Sequence, residues 1–179
     1  LFSYAWMIYF DFSGYTDVAL GLSALLGINL PENFNRPYFS ENLTSFWNRW
    51  HISLTQWIRA YFYFPLTRFL KSHSLFKSEF LINSFTQLCT MVLIGLWHGI
   101  TLNFFIWGLW HGFGLVIHSL WKNWMKKLSF SNVNAGYLKN ALTTFSIAFT
   151  FLYVCIGWIW FAIPDFQSVL NLFDKFIGK

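Results

Sequence analysis

The sequence predicts an all-α integral membrane protein that crosses the bilayer several times. Of its 179 residues, 56% are hydrophobic and 11% are charged, whereas a soluble domain is about 45–50% apolar and about 25% charged. Residues 80–121 contain no Asp, Glu, Lys or Arg. This run is long enough for two spans, since about 20 apolar residues make one. Aromatic residues reach 23%, more than one soluble core needs, and they suit membrane interfaces.

The N-terminal region consists of two apolar runs, residues 1–10 and 18–31, separated by the polar segment 11–17. That segment reads Asp-Phe-Ser-Gly-Tyr-Thr-Asp, and such an interruption is tolerated at membrane depth only where it faces protein or water. Residues 31–38 contain two prolines and two asparagines, which predicts a loop.

Residues 43–64 are predicted to form one amphipathic helix, because their large apolar side chains recur at spacings of three and four. Tryptophans with isolated arginines suit an interfacial or re-entrant position better than a full span. Pro65 is predicted to end this helix, because proline has no N–H to donate.

The later part of the chain predicts three spans and a tail helix. Two spans lie within 80–121, and the uncharged run 140–164 supplies the third. The tail, 165–179, is predicted to be a short amphipathic helix whose apolar residues are Val169, Leu170, Leu172, Phe173 and Phe176. No linker divides the chain, so residues 1–179 are interpreted as one membrane-embedded domain.

The basic residues indicate orientation and not a nucleic-acid partner. The net charge is +5, but the basic side chains are scattered and form no run. The predicted loop 122–139 contains lysines and no acid, and basic residues outnumber acids just before residue 80. Both regions are therefore predicted to be cytoplasmic under the positive-inside rule. Cys89 and Cys155 form no spaced metal or redox motif and are interpreted as buried hydrophobes.

A duplicated pentapeptide, Gly-Leu-Trp-His-Gly, occupies residues 95–99 and 108–112. An ionisable side chain at membrane depth is a functional-site hypothesis, and histidine exchanges protons readily near neutral pH. From the residues alone, functional and structural roles for His98 are equally well supported. His111 follows thirteen residues later, about 220° around a continuous helix. It is predicted to be a packing residue with a backbone hydrogen bond.

Three other histidines are weaker candidates. His51 lies beside Trp50 in the amphipathic segment, where a functional role and a solvated or packing role remain open. His118 is predicted to reach the interface from the end of its span, and His73 to be solvated in a polar loop.

Several reaction classes are disfavoured by missing motifs. The chain has no Gly-x-Ser-x-Gly elbow, phosphate-binding glycine loop or Cys-x-x-Cys pair, which argues against a serine hydrolase, a nucleotide-driven pump and a zinc site. No bound metal or cofactor is predicted. Two alternatives remain open: a haem-binding electron carrier with histidine ligands, and a proton-coupled transporter or flippase using His98, Asp11 and Asp17.

Five segments, taken together and in order, resemble the membrane-bound O-acyltransferase family, and most closely its bacterial branch that acetylates alginate and other exopolysaccharides. The segments are residues 11–17, 31–38, 46–54, 95–99 and 157–161. The resemblance implies a multi-span helical fold, with re-entrant or interfacial helices around a membrane tunnel. Whole members are more than twice as long, and this chain matches their later, catalytic half without their N-terminal helices.

The resemblance also implies an O-acyltransferase activity, with His98 as the catalytic histidine and His51 as a second histidine near the tunnel. The donor is expected to be a cytoplasmic thioester, acyl-CoA or an acyl carrier protein, and the transferred group an acetyl. The acceptor is expected to be a hydroxyl of a cell-envelope polysaccharide or a partner protein. Membrane lipid, periplasmic or extracellular acetylation partners and the bacterial inner membrane are the implied surroundings.

Acylating an alcohol assigns roles to these residues. A neutral imidazole at His98 removes the hydroxyl proton as a general base, and His51, Asn48 or backbone amides stabilise the oxyanion. The expected substrate- and donor-binding residues are Asn48, Arg49, Arg36, Arg59, Trp97 and Asp17. The arginines either pair with donor phosphates or an acidic carrier, or serve as ordinary interfacial anchors.

The chain departs from the family pattern at three places. Ala60 stands where a carboxylate is common, Leu102 where tryptophan is common, and Thr67-Arg68 where Gly-Gly is common. These departures concern donor or partner contacts more than the acyl-transfer chemistry.

Overall fold

The computed structural model describes residues 1–127 and 136–178, and within these ranges it is helical with no strand. The expected all-α fold is therefore confirmed. The helices are α1 (Phe2–Leu25), α2 (Leu43–Trp47), α3 (Ile52–Ile58), α4 (Phe64–Ser72), α5 (Glu79–His98), α6 (Leu102–Lys127), α7 (Gly136–Ala162) and α8 (Phe166–Ile177). Pro37–Phe39 form a short 3₁₀ turn, and Arg59–Tyr63 form a π-helical segment between α3 and α4.

Three of these helices are long and apolar enough to cross a membrane. They are Glu79–His98, Leu102–Met125 and Lys139–Ala162, which confirms the three spans expected from the uncharged runs. Many of their large apolar side chains point outward, as a surface in contact with lipid requires; Phe113, Ile117 and Phe145 are each more than half exposed.

Helix α1 runs without a break through the polar segment 11–17. Its hydroxyl side chains bond back to the helix itself: Thr16 Oγ1 donates to the Ser13 carbonyl at 2.8 Å, and Ser13 Oγ to the Phe10 carbonyl at 3.4 Å. Such bonds satisfy a hydroxyl without water, so the segment interrupts the hydropathy but not the helix.

The single helix expected over 43–64 is wrong. The chain leaves the helical path between α2 and α3, because His51 adopts a left-handed conformation with φ 46° and ψ 56°. Pro65 does not end a helix; it lies in the first turn of α4. The π-helical segment Arg59–Tyr63 lies directly before α4, and a local π adjustment of this kind accommodates proline within a continuous helical run.

Helices α5 and α6 pack closely through the glycines of the duplicated pentapeptide. A Cβ added at Gly108 would lie 2.6 Å from the Met91 carbonyl oxygen and 2.7 Å from Val92 Cα. One added at Gly95 would collide with the Phe104 carbonyl oxygen. Small residues permit this backbone approach, which holds the C-terminal end of α5 in place.

Helix α7 packs on α6 through reciprocal hydrogen bonds. The Tyr153 hydroxyl donates to the Trp110 carbonyl at 2.6 Å, and Trp110 Nε1 donates to the Tyr153 carbonyl at 3.1 Å. The two rings stack with centroids 4.5 Å apart. Asn103 Nδ2, near the start of α6, donates to the carbonyl of Ile163, which directly follows α7, at 2.7 Å. Hydrogen bonds therefore join α6 and α7 at two separate positions along the helices.

The tail helix was predicted correctly, whereas the bounds of the lysine-rich loop were not. Helix α8 is confirmed, with Val169 fully buried, whereas the Phe176 side chain lies outside what the structure describes. The predicted loop 122–139 is wrong at its ends, because Lys122 lies on α6 and Lys139 on α7. Residues 128–135 lie outside the described ranges.

Candidate functional site

His51 lies in a tight turn held by the loop that precedes α2. Phe34 and Trp50 form an antiparallel bridge. The Asn35 amide donates to the Arg49 carbonyl and the Ile52 amide to the Asn33 carbonyl, each at 3.0 Å. These bonds stabilise the left-handed backbone of His51, a conformation that costs of order 1–3 kcal/mol in a residue other than glycine. His51 is thereby placed at the start of α3.

The His51 ring is enclosed mainly by aromatic side chains. The edge of the Phe12 ring meets it with centroids 4.7 Å apart, and Trp97 lies 6.3 Å away. Burial lowers the pKa of His51 to about 4, because a poorly solvated site disfavours the charged imidazolium. His51 is therefore neutral at pH 7 and able to accept a proton or a hydrogen bond.

His98 is the last residue of α5, where the helix stops before Gly99. Its ring is surrounded by Phe161, Trp107 and Phe104, with centroid distances of 4.9, 5.8 and 6.0 Å. Position at a helix end, and not in its middle, lets the ring face a neighbouring space instead of a packed helix surface.

One cavity of ≈ 50 Å³ brings the two histidines together. Its wall is otherwise apolar and aromatic, and includes Trp47, Trp107 and Phe161. It is small, large enough for about one or two water-sized groups. The indole Nε1 atoms of Trp47 and Trp107 are buried and have no hydrogen-bond partner among the described residues. The two indole rings therefore belong to the same cavity wall as the two imidazoles.

A second cavity of ≈ 80 Å³ lies on the other side of a thin wall. The two cavities share Trp47, Thr55 and Ile94. The second is more polar, and in it Arg59 Nη1 donates to Asn48 Oδ1 at 2.9 Å. The carboxyl end of α3 and the π-helical segment carry Arg59 into this position.

The expected donor-binding residues do not form one group. Asn48 and Arg59 line the second cavity, so Asn48 is not beside the histidines. Arg36 and Arg49 instead border an open surface depression of ≈ 610 Å³ with Asn35 and Phe39.

Trp97 and Asp17 also lie outside the second cavity. Trp97 is 59% exposed but touches the His98 ring at a centroid distance of 4.8 Å. Asp17 is exposed on α1 and lines none of the cavities described here.

His111 is separate from the site although it belongs to the second pentapeptide. It is completely buried against Trp47 and Trp107, with centroids 5.1 and 4.9 Å away. The packing role is as expected, but the backbone hydrogen bond is not present: neither ring nitrogen has a partner among the described residues. A polar cage would be needed to satisfy them, and the surroundings are aromatic.

The remaining histidines are peripheral. His118 Nδ1 lies 3.1 Å from Thr44 Oγ1, so it joins α6 to α2, and His73 is exposed at the end of α4. Within residues 1–127 and 136–178, no three His, Cys, Asp or Glu side chains cluster as metal ligands would.

Sequence comparison identifies the family. The profile of the membrane-bound O-acyltransferase family matches residues 1–160. This chain belongs to the membrane-bound O-acyltransferase family. With its apolar spans, it is a multi-pass integral membrane protein.

The names of three similar proteins specify three different polymers. The chain is 38% identical over 173 residues to the probable alginate O-acetylase of Pseudomonas aeruginosa, covering 96% of this chain and 29% of that protein. It is 33% identical to the teichoic acid D-alanyltransferase of Bacillus subtilis, covering 93% and 41%. It is 32% identical to the peptidoglycan O-acetyltransferase of Helicobacter pylori, covering 98% and 30%. The chain thus spans well under half the length of these O-acyltransferase relatives.

Several residues of the site carried no functional expectation, among them Asn33, Thr55, Trp47 and Trp107. Asn33 was predicted only as part of a loop, yet its side chain contacts His51. Thr55 belongs to the wall between the cavities. The signal for Asn33 was weak: a short polar side chain in a Pro- and Asn-rich segment predicts a turn, and its partner lies eighteen positions away.

Proposed function

We propose that this chain carries the acyl-transfer site of a membrane-bound O-acyltransferase that moves an acyl group, most simply acetyl, from a thioester to a hydroxyl. One observation carries the proposal: His51 and His98, from separate parts of the chain, line the same cavity, whose wall is mainly apolar and aromatic. Membership of the family supports the reaction class, and a dry site protects a thioester from hydrolysis.

The chemistry uses the two imidazoles and the nearby indoles. His98 takes the proton of the acceptor hydroxyl as its oxygen attacks the thioester carbonyl. When the tetrahedral intermediate collapses, the C–S bond breaks and the proton passes to the leaving thiolate. The uncommitted N–H groups of Trp47 and Trp107 are the proposed oxyanion donors, in place of Asn48, and one good donor is worth roughly 3 kcal/mol.

The second cavity is the proposed entrance for the donor. Arg59 and Asn48 line it, and a guanidinium suits the phosphates of acyl-CoA or of an acyl carrier protein. The segment before residue 80 is rich in basic side chains, which favours a cytoplasmic position. The acyl group would then pass the wall of Trp47, Thr55 and Ile94 to reach the histidines.

The acceptor and the surroundings are proposed from the relatives. Their names specify alginate, teichoic acid and peptidoglycan, so a hydroxyl of a cell-envelope polymer is the proposed acceptor class. A periplasmic or extracellular partner protein would receive or deliver the acyl group. The bacterial inner membrane is the location at which cytoplasmic thioesters and envelope polymers are both within reach.

Thioester turnover by the full-length parent protein in nanodiscs tests the proposal. Radiolabelled acetyl-CoA and an acetyl-charged acyl carrier protein are supplied in parallel. Wild type is compared with His98→Ala and His51→Ala, and with His73→Ala as a matched control at an exposed position. Loss of the base is expected to lower turnover by about 10²–10⁴-fold in His98→Ala, with a smaller loss in His51→Ala and none in His73→Ala.

Two results would contradict the proposal. Wild-type turnover in His98→Ala would remove that histidine from the reaction. Absence of turnover with both donors, together with uptake of substrate into liposomes, would favour the transporter alternative.

A further inference from the structure

The side chain of Asn33 is an anchor for His51. Its Oδ1 accepts hydrogen bonds from the Ser53 amide at 3.1 Å and from Ser53 Oγ at 2.6 Å. The same oxygen lies 3.4 Å from His51 Nδ1. Asn33 also accepts the Ile52 amide through its backbone carbonyl. One loop residue thus contacts three consecutive positions at the start of α3.

These contacts specify where the proton of His51 resides. The Ser53 amide is only a donor, so the Asn33 atom facing it is the carbonyl oxygen and not the NH₂ group. An amide oxygen has no proton to give, so in a hydrogen bond between these two atoms His51 Nδ1 is the donor. In a neutral imidazole the other nitrogen, Nε2, then has no proton and can only accept.

We propose that Asn33 is a positioning residue that holds His51 in its Nδ1–H form and presents Nε2 as an acceptor in the histidine cavity. The role of this acceptor in acyl transfer rests on the function proposed above. It means that His51 receives a hydrogen bond or proton from a group in the cavity and is not an oxyanion donor. The indoles of Trp47 and Trp107 remain to supply that donation.

Among the described residues, Asn33 provides the polar side-chain contact to the His51 ring. The rings against it, Phe12 from α1 and Trp97 from α5, are uncharged. His98 is the other titratable group that lines the cavity, and no carboxylate or arginine is among the lining residues. A change in the chemistry of residue 33 should therefore be felt directly by the imidazole.

Nitrogen-15 NMR of histidine-labelled, full-length protein in nanodiscs tests the assignment without requiring turnover. The His51 signal is identified by its loss in His51→Gln. We expect the proton on Nδ1 in wild type and its loss from that nitrogen in Asn33→Ala. In Asn33→Asp, which keeps an acceptor oxygen and the Ser53 bonds, the new carboxylate should raise the His51 pKa by about 1–3 units.

Two control variants separate positioning from general structural damage. Asn42 caps α2 by accepting the Ser45 amide at 2.9 Å, so Asn42→Ala removes a similar bond away from His51. Ser53→Ala removes one hydroxyl but leaves the contact between Asn33 and His51. Neither is expected to move the His51 proton or the pKa of His51.

Each result either supports or contradicts the role of Asn33 as a positioning residue for His51. A wild-type His51 with its proton on Nε2, or an unchanged His51 pKa in Asn33→Asp, would overturn the proposal. In the thioester assay, the acid limb of the pH profile should move upward in Asn33→Asp and stay in place in Asn42→Ala. If wild type turns over no thioester, the proposed function fails, while the NMR result still decides the role of Asn33.

Discussion

Replacing Gly108 by alanine should separate α5 from α6, because the added Cβ meets backbone and not flexible side chain. The new carbon would lie 2.6 Å from the Met91 carbonyl oxygen and 2.7 Å from Val92 Cα. Neither atom can rotate away, so one helix must shift as a body. Gly112, one turn later, offers a contrast: its Cβ would lie 2.7 Å from Leu88 Cδ1, the mobile end of a side chain, and no closer than 3.2 Å to backbone, at Leu88 Cα.

The magnitude follows from two opposing terms. Overfilling a packed contact costs typically about 1–3 kcal/mol, whereas alanine is about 0.5–1 kcal/mol better than glycine inside a helix. Because both neighbours are backbone atoms closer than 3.0 Å, the upper part of the overfilling range, about 2–3 kcal/mol, applies, and the expected net loss for Gly108→Ala is about 1–2.5 kcal/mol. For Gly112→Ala, where Leu88 can change rotamer, the two terms should nearly cancel. The displaced end of α5 should also lower turnover, because a shift of 1 Å at a reacting group can cost about 10²-fold.

Unfolding of the full-length protein in one detergent, followed by tryptophan fluorescence, measures the difference. Gly108→Ala should unfold at a lower temperature than wild type, and Gly112→Ala close to wild type. Equal stability of Gly108→Ala and wild type would refute the argument that α5 and α6 are in backbone contact at this position. A larger loss in Gly112→Ala than in Gly108→Ala would refute the ranking of rigid over flexible neighbours.

Two further predictions concern hydrogen bonding and pH. Tyr153→Phe removes the 2.6 Å bond to the Trp110 carbonyl and should cost about 1 kcal/mol, read as a lower unfolding temperature. No change would mean that ring stacking and the remaining bond from Trp110 Nε1 to the Tyr153 carbonyl hold the pair without the hydroxyl. His51 has a pKa lowered from 6.5 to about 4, so the unfolded chain binds more protons between these values. Its contribution to stability is present above pH 6.5 and is lost as the pH falls towards 4. The unfolding temperature should therefore depend less on pH in His51→Gln than in wild type. Parallel curves of unfolding temperature against pH for the two proteins would contradict this.

Hydropathy predicted the spans well because the signal and its cause are both local. An uncharged run long enough to cross the bilayer must be a helix there, since every backbone group needs a partner in lipid. Helices α5, α6 and α7 follow those runs closely. The sequence did not predict that α1 is continuous, because the polar side chains of residues 11–17 suggest an interruption. In the structure the hydroxyls of Ser13 and Thr16 instead donate to carbonyls of the same helix.

The turn at His51 could not be predicted from local pattern. Apolar spacing continues through Trp50 and Leu54 as it would in one helix, yet the backbone changes direction between them. The bonds that stabilise the change come from residues 33–35, far away in sequence. Spacing records which side chains are buried, but it does not record a long-range hydrogen bond that holds a strained residue.

Resemblance predicted the two histidines of the cavity, but not the division among the polar residues. Arg36, Arg49 and Arg59 were expected either to pair with donor phosphates or an acidic carrier or to anchor the interface, and they lie at two separate sites. The residue type of an arginine indicates that it can bind phosphate, but it does not indicate which other residues lie beside it in the fold. The locations of these arginines depend on the turn at His51 and on the π-helical segment Arg59–Tyr63. No local sequence pattern predicted either feature.

The two copies of Gly-Leu-Trp-His-Gly show how little a short motif says about reactivity. One copy ends a helix, and its imidazole borders a cavity. The other lies inside a helix, and its imidazole is sealed within aromatic rings. A chemical reagent that modifies accessible imidazoles would distinguish them, although a pattern search returns both alike. In this fold the position of a histidine along its helix, and not the five residues around it, separates an imidazole that borders a cavity from one that is fully buried.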